Sequence, residues 1–146
     1  MIPLARPLID EKEKKSVLKV LDSGMIASGD YVRKFEKEFA AYNGTQYAAA
    51  TSSGTTALYV ALEAAGITKG DKVLTSPFTF IASSNSILHC EAEPVFVEVK
   101  SDSFNIDPEK IREKLEEDPD IQALLIVHLF GLSCDMEAIM ELVEEY

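Results

Sequence analysis

The sequence predicts an α/β fold: a mainly parallel sheet with helices on both faces. Two observations predict it. Beyond residue 50, short apolar runs alternate with helix-length amphipathic segments, and parallel strands need such crossover connections. The runs are also apolar throughout rather than at every second position, as in Ala123-Leu124-Leu125-Ile126-Val127, which suits strands covered on both sides.

Asp10 with Glu13 forms a capping-box pattern, and Val17, Leu18 and Leu21 share one face before Gly24 ends a first helix. A second helix is expected from about Tyr31 to Tyr42, capped by Asp30, with Val32, Phe35, Phe39 and Tyr42 at helical spacing and Asn43-Gly44 as its stop. Tyr47 to Thr51 is brief, apolar and bounded by turn residues, and reads as a buried strand. The alternation then runs helix 55–65, strand Lys72–Thr75, helix 79–89, strand Val95–Val99, helix Pro108–Leu115 capped by Asp107, strand Ile121–His128, and helix Met136–Glu145 capped by Asp135. Tyr146 falls where the alternation calls for another strand, so the chain reads as the front portion of a longer protein.

With 146 residues, 47% of them hydrophobic, the chain has material for one ordinary core. A formal charge of −11, from 14 Lys and Arg against 25 Asp and Glu, is unfavourable for a polyanion, so nucleic acid is not expected as a partner. No apolar stretch is long enough to span a bilayer, and no membrane partner is expected. Cys90 and Cys134 lack CxxC spacing, and the opening MIPLARPLIDEKEKK has no apolar signal core, which together point to a reducing cytoplasm. His89 with Cys90, or His128 with Cys134, has no ligand-spaced partners, so no metal is expected. No nucleophile-elbow pattern supports a hydrolase.

In parallel α/β sheets, ligands bind where strands feed helix N-termini. Ser52-Ser53-Gly54-Thr55-Thr56 lies at such a junction, rich in hydroxyls and backbone amides and poor in bulk, which suits a phosphate. The same Ser and Thr also serve as plain helix caps, and neither a P-loop nor a GxGxxG spacing is present. Pro77-Phe78-Thr79-Phe80 opens the next helix, where one ring can enter the core and the other can offer a face to a planar ligand. His128 stands at a strand end, either as a structural residue or beside a ligand.

In order and spacing, the segments "GMIASGDYVRKFEKEFAAYNG", "YAAATSSGTTALYVAL", "GDKVLTSPFTFIASSNSI", "EPVFVEVKSDSFNIDPEKI" and "LLIVHLFGLSCDMEAI" resemble the DegT/DnrJ/EryC1/StrS family of pyridoxal-phosphate-dependent sugar aminotransferases, which have fold type I. The resemblance covers essentially the whole chain and places it in the amino-terminal part of the large domain of such an enzyme, as one domain over residues 1–146. It implies that Ser53, Gly54 and Thr55 hold the cofactor phosphate, that Phe80 stacks on the pyridine ring, and that His128 lies near the cofactor in a supporting role.

The family's Schiff-base lysine and the acid that pairs with the pyridine nitrogen are expected downstream of Tyr146. No lysine here, Lys72 and Lys100 included, stands in that lysine's motif. Glu91 occupies a place where the family often has glycine, and Leu132 replaces a frequent polar residue. The resemblance implies pyridoxal 5'-phosphate as cofactor, glutamate and a nucleotide-linked keto-sugar as substrates, a role in cell-surface polysaccharide or deoxyamino-sugar biosynthesis, and a homodimer. By itself the present stretch is expected to be inactive. A sugar dehydratase of the same family and a non-catalytic regulatory or binding module remain open as alternatives.

Overall fold

The computed structural model describes residues 6–146; the first five residues of the N-terminal segment read above lie outside them. The chain divides into two compact units, residues 1–50 and 51–146.

In the first unit, α1 (Glu11–Ser23) opens with the expected box: the Lys12 amide donates to the Asp10 carboxylate at 2.6 Å and the Asp10 amide to Glu13 at 2.7 Å. Gly24, at φ 69°, ends α1 in the left-handed conformation that glycine tolerates. Helix α2 (Asp30–Asn43) begins one residue earlier than the sequence suggests. Gly29 is its cap and has no side chain to donate to, while Asp30 already lies inside the helix and pairs with Arg33 one turn on. Among the residues of these two helices only Ala40 is buried. Residues 47–51 form no strand: Tyr47 is 79% exposed, and among the described residues the run pairs with no neighbouring strand. A strand needs a ladder partner, and alanine has little β preference to impose one.

The second unit holds α3 (Gly54–Ala64), β1 (Lys72–Thr75), α4 (Ala82–His89), β2 (Glu93–Phe96), α5 (Pro108–Glu117), β3 (Ile121–Leu125) and α6 (Met136–Glu145). The three strands are parallel in the order β2-β1-β3. Because the chain moves one way from β1 to β2 and back past β1 to β3, right-handed crossovers place the two crossover helices, α4 and α5, on opposite faces. The packing agrees. Val73 and Leu74, adjacent in β1, point to opposite sides: Val73 joins Leu62 of α3 and Ile87 of α4, whereas Leu74 joins Ile111 of α5 and Ile139 and Leu142 of α6. Asp107 and Asp135 cap α5 and α6 with their carboxylates. Pro94 sits in β2, an edge strand among the described residues, where its missing amide is tolerated.

Cys90 and Cys134 are free, buried thiols, and burial pushes both above the usual thiol range. No helix among the described residues is long and apolar enough to cross a membrane.

At the N-terminal end of β1, the Lys72 ammonium donates to Asp118 at 2.7 Å, with both side chains only about a quarter exposed (28% and 25%). The hydrogen bond from Lys72 holds the Asp118 carboxyl below its usual range, and the bond to Asp118 holds the Lys72 ammonium above its own. The depressed carboxyl contributes stability above its unfolded pKa of roughly 3.9, and this is lost as pH falls through the folded value. The raised ammonium contributes below roughly 10.4, and this is lost as pH rises through the folded value. Thermal midpoints of the wild type and Asp118→Asn should therefore differ most between about pH 4 and 10 and converge at both extremes. A gap independent of pH would exclude the ion pair as its cause.

Candidate functional site

Ser53 is extended (φ −161°, ψ 162°) and caps α3, its hydroxyl accepting the Thr56 amide at 3.1 Å. The Thr56 hydroxyl lies 3.0 Å from that of Ser53 and 3.3 Å from that of Ser52, so three hydroxyls converge on the first turn. The amides of Gly54 and Thr55 have no acceptor among the described residues. A Cβ added at Gly54 would meet no atom of the described residues within 4 Å, and its φ lies outside the left-handed region. Neither packing nor backbone conformation in this chain requires glycine there, and a helix prefers almost any other residue. The consequence is open space over two unpaired amides at the positive end of a helix dipole. An open depression of about 390 Å³, lined by Thr55, Thr56, Tyr59 and His89, adjoins them.

The exits of β1 and β3 are neighbours, since Thr75 pairs with Leu125 and its hydroxyl donates to the Leu125 carbonyl at 2.8 Å. The exit of β1 leads to Phe78 and Phe80, where α4 starts at Ala82 rather than at residue 79 because a turn held by Ser76 comes first. The rings of Phe78 and Phe104 lie 5.3 Å apart and are each about half exposed, so neither ring after β1 enters the core; Phe80 is 77% exposed and pairs with no ring among the described residues. The exit of β3 leads to a short 3-10 turn, Leu129–Gly131, with His128 before it. His128 is exposed, and its Nδ1 accepts the Cys134 amide at 3.1 Å. In a neutral imidazole the proton then resides on Nε2.

The structure thus groups the sequence-selected residues as Ser53, Gly54 and Thr55 at one helix start, and Phe80 and His128 on loops that follow adjacent strands. Among the described residues no hydrogen bond joins the first group to the second. Lys72 lies at the other end of β1, engaged by Asp118. Lys100 lines a separate depression of about 510 Å³ with Asp102, Asp107, Glu109 and Asp135. Among the described residues no cluster of His, Cys, Asp or Glu could hold a metal.

Sequence reasoning includes Thr56 in the hydroxyl-rich run without a role of its own, where its hydroxyl bridges Ser52 and Ser53, and misses Asn105, which binds the loop after His128. The repeated hydroxyls were a signal for Thr56. Nothing periodic marks Asn105, because its partners lie 24 to 28 residues away.

The profile of the DegT/DnrJ/EryC1/StrS aminotransferase family matches residues 7–146. Over 99% of its length the chain is 42% identical to the spore coat polysaccharide biosynthesis protein SpsC of Bacillus subtilis, of which it covers 37%. It is 37% identical over its whole length to a GDP-perosamine synthase of Vibrio cholerae, covering 40% of that protein. Among solved structures, NtdA from Bacillus subtilis with bound cofactor PMP superposes at a TM-score of 0.86 and 35% identity, over 94% of this chain and 32% of that one. The chain therefore spans about two fifths of the length of the curated relatives it matches. Given a profile match from residue 7 to residue 146 and a parallel core that superposes on a solved relative, the chain belongs to the DegT/DnrJ/EryC1/StrS aminotransferase family.

Proposed function

We propose that the protein transfers an amino group from glutamate to a nucleotide-linked keto-sugar with pyridoxal 5'-phosphate as cofactor, and that residues 1–146 form the amino-terminal part of the large domain, carrying the phosphate cradle. The observation that supports this most is Gly54: the fold does not require its missing side chain, but a phosphate approaching the Gly54 and Thr55 amides does. The hydroxyls of Ser52, Ser53 and Thr56 converge on the same turn and Thr55 carries a further one, and the exposed ring of Phe80 offers a flat apolar face of the kind a pyridine ring stacks on. The cofactor, when bound, supplies an electron sink for the carbanion left by proton removal. His128 would orient and donate a hydrogen bond rather than move a proton.

Among the described residues no lysine lines the cradle, and the reading assigns the Schiff-base lysine and the acid facing the pyridine nitrogen to sequence beyond these residues. The half-exposed Phe35 and Phe39 of α2 favour a homodimer, and the two free buried thiols favour a reducing cytoplasm. The names of the two relatives favour a nucleotide-linked sugar and polysaccharide biosynthesis.

Gly54→Val in the full-length protein tests the cradle. Cofactor retention should fall by at least about tenfold, a loss of about 1.4 kcal/mol. The melting temperature should hold or rise, since a Cβ at this position meets no atom of the described residues and valine is the better helix residue. Full retention in the variant would remove the phosphate from this position. Retention by the wild type without glutamate-dependent amination of any keto-sugar would leave the cradle standing and reject the transferase reading in favour of the dehydratase or the binding module.

A further inference from the structure

We infer that Asn105 is a positioning residue: it clamps the loop 128–134 so that His128 presents a fixed Nε2–H donor. This rests on the proposed cofactor site, in which His128 takes part. Asn105 is 4% exposed, and its amide group makes three bonds to the loop. Its Oδ1 accepts the Leu129 amide at 3.0 Å, while its Nδ2 donates to the carbonyls of Leu132 at 3.0 Å and Ser133 at 3.2 Å. Both ends of the loop are thereby held by one side chain. The clamp is itself anchored, since the Asn105 carbonyl accepts the Lys100 amide at 2.9 Å. The next residue, Ile106, is buried in the same cluster as Cys134.

Cys134 completes the arrangement. Its thiol donates to the Val127 carbonyl at 3.2 Å and its amide donates to His128 Nδ1 at 3.1 Å, so the residues on either side of the strand exit are tied across the loop. With Nδ1 occupied as an acceptor, the imidazole has one donor left, Nε2–H, on an exposed ring. Such a group suits a carbonyl or anionic oxygen of a cofactor or substrate. A proton on Nδ1 would set two N–H groups against each other, so the Cys134 amide selects the tautomer, and Asn105 keeps that amide in place.

The experiment is nitrogen-15 NMR of the histidine rings in the full chain, read without cofactor so that its outcome is independent of the Gly54→Val test. In the wild type, His128 should show a single Nε2–H tautomer. An Nδ1–H or averaged pattern overturns the inference. Asn105→Ala should abolish the single tautomer and speed hydrogen exchange at the Leu129 amide roughly tenfold, the scale of one lost hydrogen bond. Leu62→Ala, a core truncation in α3 within the cluster on the other side of the sheet from Cys134, should lower stability and leave the tautomer intact. If Asn105→Ala fails to fold, Asn105→Asp decides: it keeps the acceptor for Leu129 but turns a carboxylate on two carbonyls, so the tautomer should be lost while the Leu129 amide stays protected. Survival of the single tautomer in whichever variant folds overturns the positioning role.

Discussion

Replacing Leu74 by alanine is expected to lower the unfolding free energy by about 3–5 kcal/mol, the upper range for truncating a buried leucine. Leu74 is inaccessible to solvent in β1, flanked by β2 and β3, so the sheet cannot collapse sideways into the space left behind. Its side chain faces the cluster that includes Ile106, Ile111 and Ile139, and the helices that carry Ile111 and Ile139 are fixed by capped N-termini. A loss of this size is a large share of the roughly 5–15 kcal/mol that holds a typical domain together. Urea denaturation would show it as a shifted midpoint at constant slope. Met140→Ala serves as the comparison: Met140 lies in α6 but is half exposed, and its truncation should cost less than about 1 kcal/mol. Equal losses at the two positions would mean that this cluster is not the stabilising core.

The second large effect concerns the two rings after β1. Phe80→Ala in the full-length protein should weaken cofactor retention by about 1–3 kcal/mol, the scale of one lost aromatic contact surface. Since Phe80 is 77% exposed with no ring partner among the described residues, its melting temperature should barely move. Phe78→Ala should do the reverse, because the ring pair with Phe104 at 5.3 Å contributes to folding by about 0.5–1.5 kcal/mol. Equilibrium dialysis against pyridoxal phosphate, paired with calorimetry, separates the two. If Phe78→Ala releases the cofactor and Phe80→Ala retains it, the stacking face belongs to the other ring.

What could be read from the sequence was mostly what is local. Asp10, Ser53, Asp107 and Asp135 cap their helices through bonds spanning two or three residues, and such spacing is written into the chain. The candidate site was legible to the same depth: the hydroxyl-rich start of α3 could be seen, but the clamp at Asn105 could not, since its partners are remote. Strand ends were misjudged for a related reason. The apolar run of β3 continues to Val127, yet pairing stops at Leu125 because β1 stops at Thr75. A strand's length is thus set by its neighbour as much as by its own residues. Asp30 was misread because capping depends on which residue lies half outside the helix, a one-residue distinction that composition does not make. Glu91, where the family often has glycine, adopts φ 56°, so the left-handed turn persists without the residue that most easily forms it.

The strand order β2-β1-β3 also has a consequence for synthesis on the ribosome. Strand β1 acquires its first partner when residues 93–96 emerge, but its other edge waits for residues 121–125. At roughly 5–20 residues per second, the intervening stretch of about 25 residues takes on the order of 1–5 s. For that interval the Leu74 side of the sheet is incompletely covered and a row of unpaired backbone groups is open to the strand of another nascent chain. The Thr75 hydroxyl, which reaches a carbonyl 50 residues away, can close that edge only after β3 has arrived.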